Sequence, residues 1–142
     1  MLNNQMTISE WQVMRVIWAE SGMTSAEIVK RLSHKDWKPN TVRSLLNRLV
    51  QKKYVTIQED GRKYRYFQSI PEEIHIEHEI DIIADNICNK DKVNLLSYQI
   101  EKYELSIDNI NYLINLLEDK KNTAPIEVNC KCPEGQCKCQ HN

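Results

Sequence analysis

The chain has 142 residues, of which 41% are hydrophobic and 27% are charged, a composition typical of a water-soluble globular protein. It has no run near the ~18 apolar residues of a membrane span and no apolar signal segment at its start, so we expect a cytoplasmic protein without a membrane partner. The net charge of −1 is unevenly distributed: residues 1–70 hold 12 Lys and Arg against 6 Asp and Glu, and residues 71–129 hold 5 against 13. This split predicts that only the first half binds a polyanion.

Three short amphipathic helices are predicted in the basic half. Ser9 and Gln12 have the spacing of a capping box and should open the first helix. Residues 24–27 repeat this pattern and should open the second, which runs through Leu32. The third begins at Pro39, because proline is favoured in the first helical turn.

The third predicted helix has an apolar stripe and a polar face. The stripe follows the i, i+3, i+4, i+7, i+8 spacing of a buried helix side. On the other face, Arg can bond guanine and Asn can bond adenine, although any solvated helix face is polar. Lys38, at the cap position, offers no side-chain acceptor, and we hypothesise that a DNA phosphate binds there. The candidate DNA-contacting residues of this helix are Asn40, Thr41, Arg43, Ser44, Asn47 and Arg48.

A β-hairpin is predicted after the third helix. Two β-rich runs, residues 54–58 and 63–67, flank Asp60 and Gly61, and Asp-Gly between such runs is a strong hairpin signal. Three helices followed by a hairpin make a winged helix, in which the third helix enters the major groove and the basic wing lies along the phosphates. The candidate backbone-contacting residues are Lys52, Arg62, Lys63 and Arg65.

The acidic half is predicted to form three further helices, at residues 72–88, at 92–102 and after a cap at Ser106. Three short helices make a marginal core in isolation, so we expect them to form a homodimer; the alternative is that they pack on their own winged helix. His75 and His78 match no zinc-protease motif and are expected on a solvated helix face. Cys88 is expected to be a small buried residue on an apolar helix. Nothing in the sequence indicates an enzyme.

Four cysteines form a C-x-C-x4-C-x-C pattern near the end of the chain. The surrounding residues are polar and cannot form a core, so a metal or disulfides must order this tail. The first 87 residues contain no cysteine, unlike a secreted disulfide scaffold, and a reducing cytosol favours a metal. Thiolates select Cu(I), Zn(II) or an iron–sulfur cluster. The candidate ligands are Cys130, Cys132, Cys137 and Cys139.

Taken together, these segments resemble the BlaI/MecI/CopY family of bacterial repressors, and specifically its copper-responsive CopY branch. The resemblance is carried by ISEWQVM (8–14), VIW (16–18), DWKPNTV (36–42), LLNRL (45–49) and the cysteine tail. It implies a mostly α fold: a winged helix with a hairpin wing at residues 1–70, a helical dimerisation region at 71–122 and a metal-binding tail at 123–142.

The resemblance also implies a function. A Zn(II)-loaded homodimer would hold a palindromic operator of a copper-homeostasis operon, and Cu(I) donated by a small copper chaperone would displace zinc and release the DNA. The β-lactam-responsive relatives are instead inactivated by cleavage at an Asn–Phe bond in the helical region, whereas the only Phe here is Phe67. The alternatives are a cytosolic metal-buffering protein and a β-lactam-type repressor with an adventitious tail.

Overall fold

The computed structural model describes residues 4–139, so the outermost residues of the first and last predicted segments, 1–3 and 140–142, lie outside it. The chain divides between Glu77 and His78 into two compact units. The elements, in chain order, are α1 (Ile8–Ala19), β1 (Met23–Thr24), α2 (Ser25–Arg31), α3 (Pro39–Gln51), β2 (Val55–Asp60), β3 (Lys63–Gln68), α4 (Glu72–Asp85), α5 (Lys92–Lys102) and α6 (Ile107–Lys121), with short 3-10 helices at Ser33–Lys35 and Asn89–Asp91.

The first helix is capped by Thr7, and the prediction of a cap at Ser9 was wrong. The Thr7 hydroxyl accepts a hydrogen bond from the Glu10 amide, and the Glu10 carboxylate accepts one from the Thr7 amide, both at 3.2 Å. The same capping-box spacing therefore occurs two residues earlier than predicted, and Ser9 lies inside the helix. The predicted starts of α2, capped by Thr24, and of α3, at Pro39, are confirmed.

The hairpin is confirmed and belongs to a three-stranded antiparallel sheet of order β1-β3-β2. Its strands extend to the pair Asp60 and Lys63, so the turn consists of Gly61 and Arg62 alone, with Gly61 at φ +64°. The two-residue strand β1 was not predicted. It pairs with β3 beside Gly22, whose φ of +92° and close approach to Phe67 leave little room for a side chain.

The winged-helix unit has a compact apolar core that includes the predicted stripe of α3. The indole Nε1 of Trp18 donates to the Ile70 carbonyl at 2.9 Å and fixes the chain after the hairpin. The buried apolar side chains are Met6, Val13, Met14, Ile17, Met23, Ile28, Leu32, Val42, Leu45, Leu46, Leu49, Val55 and Tyr66.

His75 lies in this core, so its predicted place on a solvated face was wrong, whereas His78 is exposed. Only 2% of His75 is exposed, and its ring centroid lies 4.5 Å from that of Trp11 and 5.7 Å from those of Trp18 and Tyr54. The aromatic residues come from α1 and from the start of the wing, so only the folded chain reveals this pocket.

The second unit contains helices whose apolar residues remain largely exposed. The bounds of α5 and the Ser106 cap of α6 are confirmed, but α4 ends at Asp85 and not at residue 88. No side chain of α5 or α6 is buried. Within residues 4–139, no helix has the length and apolarity needed to cross a bilayer.

Candidate functional site

The polar face of α3 is exposed along its whole length. Its other side is anchored in the core by Val42, Leu45, Leu46 and Leu49, which fixes the direction in which the polar side chains point. Arg43 donates to the Asn40 side-chain oxygen at 3.4 Å, and Lys38 makes no side-chain cap hydrogen bond. The exposed predicted residues are Asn40, Thr41, Arg43, Ser44, Asn47 and Arg48.

The basic residues of the wing divide into two kinds. Arg62 and Lys63 are exposed at the hairpin turn. Arg65 is held within the wing, because its Nε donates to Asp60 Oδ2 at 2.8 Å and its terminal nitrogen to the Gly22 carbonyl at 2.9 Å. The hydrogen bond with Asp60 raises the pKa of Arg65 above its ordinary value. Arg62 and Lys63 are therefore the wing cations most available to a phosphate.

Lys52 has partners inside the protein. Its Nζ donates to Glu10 Oε1 at 2.6 Å and to the Gln5 carbonyl at 2.8 Å, and its side chain is only 18% exposed. Burial raises the pKa of Glu10, but the hydrogen bonds from Lys52 and Thr7 outweigh it and leave that pKa below the ordinary value. This ion pair joins the end of α3 to the start of α1.

The second unit brings four cysteine sulfurs together, and one of them was not among the predicted ligands. The Sγ atoms of Cys88, Cys130, Cys132 and Cys139 all lie within 4.8 Å of one another. The Sγ atoms of Cys88 and Cys139 are 3.1 Å apart. Cys137 lies outside this group, with its Sγ 3.7 Å from that of Cys130.

Sequence reasoning missed Cys88 because it extended α4 too far. The residue lies beyond the end of that helix and directly precedes the 3-10 helix Asn89–Asp91. The available signal was Asn86, since Asn is common at helix ends; its side chain donates to the Ile82 carbonyl at 2.6 Å. Cys88 is buried as predicted, at 9% exposure, but beside another thiol.

Each C-x-C pair combines one thiol of lowered pKa with one of raised pKa. A hydrogen bond from the Cys132 amide, at 3.4 Å, lowers the pKa of Cys130, and a hydrogen bond with the Cys139 backbone lowers that of Cys137. Hydrogen bonding with Cys130 raises the pKa of Cys132 to about 12, and hydrogen bonding with Cys88 raises that of Cys139. The backbone thus favours the thiolate form at the first cysteine of each pair.

The four clustered sulfurs fit a soft metal ion. Tetrahedral coordination with metal–sulfur bonds of about 2.3 Å requires sulfur–sulfur distances of about 3.8 Å. This value lies between the 3.1 Å separation of Cys88 and Cys139 and the 4.8 Å limit of the group. Thiolates suit Zn(II) and Cu(I), whereas Mg²⁺ and Ca²⁺ require oxygen ligands. All five cysteines are free thiols, and none forms a disulfide.

Comparison with known proteins identifies the family. The family model described as "Penicillinase repressor" matches residues 6–119. A similar protein, the "Uncharacterized 16.5 kDa protein in ptsI 3'region" of Latilactobacillus sakei, is 33% identical over 138 residues, covering 96% of this chain and 94% of that one. The penicillinase repressor of Bacillus licheniformis is 31% identical over 119 residues, covering 83% of this chain and 93% of that one.

Among solved structures, the DNA-binding domain of the repressor BlaI shares 34% identity with a TM-score of 0.45, covering 49% of this chain and 85% of that one. The cysteine tail, residues 130–139, lies beyond the range that the family model matches. The family match extends over most of the chain and includes the winged helix, α4, α5 and α6 as far as residue 119. The chain therefore belongs to the penicillinase-repressor (BlaI/MecI) family and is a transcriptional repressor with a DNA-binding winged-helix domain.

Proposed function

We propose that this repressor responds to copper: its Zn(II)-loaded homodimer holds a palindromic operator of a copper-homeostasis operon, and Cu(I) releases it. The observation that carries the proposal is the group of four thiols, within 4.8 Å of one another, in a repressor chain. We further propose that the protein acts in the cytoplasm, where its thiols stay reduced.

The winged helix supplies the DNA contacts in this proposal. The exposed face of α3 carries Asn47 and Arg48, whose side chains can form bidentate hydrogen bonds with adenine and guanine in the major groove. Arg62 and Lys63 at the tip of the wing can contact phosphates, which adds affinity without sequence preference. The operator is expected to be palindromic because two such domains related by a two-fold axis read two inverted half-sites.

The helical unit supplies the dimer contacts, and the partner is a second copy of this chain. Ile110, Ile114 and Leu117 of α6 are each about half exposed. The same unit also contains a groove of about 360 Å³, whose mostly apolar lining includes Ile80, Ile83, Leu95, Leu96, Tyr98 and Tyr103. Exposed apolar faces of this extent are typical of surfaces that a partner buries.

The thiols supply the metal response. Four thiolates provide a tetrahedral Zn(II) site, and the same sulfurs prefer the softer Cu(I), so one ligand set can hold either ion. We propose that a small copper chaperone donates the Cu(I). We also propose that the zinc-loaded tails stabilise the dimer in the geometry that the operator requires, and that this stabilisation is lost with copper.

A gel-shift titration on the promoter of the gene itself tests the proposal. The metal-free, Zn(II)-loaded and Cu(I)-loaded proteins are compared, with Mg(II) as a hard-ion control. We expect the zinc form to bind and Cu(I), but not Mg(II), to release the DNA. Binding that ignores all three ions would favour a β-lactam-type repressor, and tight metal binding without operator binding would favour a metal buffer.

A further inference from the structure

Cys88 is held in place by the backbone at the junction between α4 and α5. The last turn of α4 closes through hydrogen bonds from the Asn86 and Ile87 amides, at 3.1 and 3.4 Å. The Cys88 carbonyl then accepts from the Asp91 amide at 2.9 Å, which starts the next short helix. These hydrogen bonds position the backbone of Cys88 and involve no residue of the tail.

The tail brings three further sulfurs close to the Cys88 thiol. The Sγ of Cys139 lies 3.1 Å from that of Cys88, longer than the ~2.05 Å of a disulfide and short enough for two ligands of one metal ion. Cys130 and Cys132 complete the group within 4.8 Å. A cavity of about 330 Å³ beside these thiols is lined by residues from both sides, including Asn86 and Cys88 on one and Cys132 and Pro133 on the other.

We propose that Cys88 is a metal ligand and that the zinc site consists of Cys88, Cys130, Cys132 and Cys139. Cys137, the fifth thiol, is then not required for zinc. This inference rests on the proposed function only in that the tail binds metal. It also adds a regulatory consequence: the metal ties the tail to the junction between α4 and α5, in the same unit as the apolar faces proposed for the dimer.

The first experiment counts sulfur ligands by zinc K-edge X-ray absorption on the full chain. Cys137→Ser should keep four sulfurs at about 2.3 Å from zinc, and Cys88→Ser combined with Cys137→Ser should fall to three. Zinc affinity is measured by competition with a chromophoric chelator. Loss of a residue that only supports a ligand lowers metal affinity ~10- to 100-fold, so the affinity of the double variant should fall further than that relative to Cys137→Ser. A count of three sulfurs in Cys137→Ser alone would overturn the inference.

A second experiment tests whether Cys88 binds zinc in the native chain, where all five thiols compete. Hydrogen exchange of the Asp91 amide should slow when zinc is added to the wild-type protein and to Cys137→Ser, and should not change in Cys88→Ser or Cys88→Ala. Circular dichroism checks that each variant remains folded. An unchanged exchange rate in the wild-type protein, in a sample that holds stoichiometric zinc, would exclude Cys88 as a ligand.

The outcomes separate this inference from the proposed function. If the wild-type protein binds no zinc, both are wrong. If it binds zinc through four sulfurs and releases DNA with Cu(I), while Cys137→Ser shows only three sulfurs, only the assignment of Cys88 is wrong. In that case the four tail cysteines form the site by themselves.

Discussion

The ion pair between Glu10 and Lys52 should stabilise the winged helix, and its loss can be measured. Glu10 is fully buried, and Lys52 Nζ lies 2.6 Å from its Oε1. Lys52→Met would leave a buried carboxylate without its cation, a change that costs about 3 to 5 kcal/mol in buried pairs. We expect about 3 kcal/mol here, because Lys52 is 18% exposed and water can partly replace it.

Urea unfolding monitored by tryptophan fluorescence measures this cost in the full chain. All three tryptophans, Trp11, Trp18 and Trp37, lie in the winged-helix unit, so their signal reports on that unit alone. Protein concentration is held constant, since the proposed dimer would add to apparent stability. Glu10→Gln combined with Lys52→Met should be less destabilised than the sum of the single changes by about 1 to 2 kcal/mol, because the two residues interact directly.

The pH dependence of stability tests whether the ionised form of Glu10 stabilises the fold. The pKa of Glu10 is lowered in the folded protein, so its ionised form stabilises the fold above the ordinary carboxyl pKa, and this contribution is lost as the pH falls through the folded pKa. The difference between the wild-type protein and Lys52→Met should therefore shrink in acid. Unchanged stability in Lys52→Met, together with a loss of operator affinity, would refute the reasoning and support the prediction that Lys52 contacts a phosphate.

Three further predictions concern DNA binding, assembly and the metal response. Arg48→Ala should weaken operator binding by about 1 to 3 kcal/mol with little effect on binding to random DNA. Lys63→Ala should weaken binding to operator and random DNA alike and flatten its salt dependence. Fluorescence anisotropy measures the affinity of each variant for the two DNAs, and equal losses of affinity for Arg48→Ala would show that Arg48 does not read a base. Ile114→Arg on the exposed stripe of α6 should convert a dimer into a monomer in sedimentation velocity, and a monomeric wild-type protein would contradict the dimer. Cys130→Ser combined with Cys132→Ser should leave the winged helix folded and abolish release of the operator by Cu(I); release at the wild-type copper concentration would place the sensor elsewhere.

Sequence patterns predicted the elements that local interactions determine. The stripe of α3, its start at Pro39 and the Thr24 cap of α2 each depend on residues a few positions apart, so they can be recognised without the fold. The hairpin was predictable for the same reason. The Thr7 cap is equally local, but the sequence offers two overlapping capping boxes, one from Thr7 to Glu10 and one from Ser9 to Gln12. The structure uses the first, whose Glu10 is also paired with Lys52.

The sequence by itself thus determined the helices, the wing, the exposed face of α3 and the presence of thiols suited to a soft metal. Only the tertiary structure decided which partners distant residues find. It placed Lys52 on Glu10, 42 residues away, and His75 among aromatic rings from α1 and the wing. It also brought Cys88 to within 3.1 Å of Cys139, 51 residues further along the chain. The physical reason is that such contacts depend on how whole elements pack, whereas a sequence pattern reports only the periodicity and the caps of each element by itself.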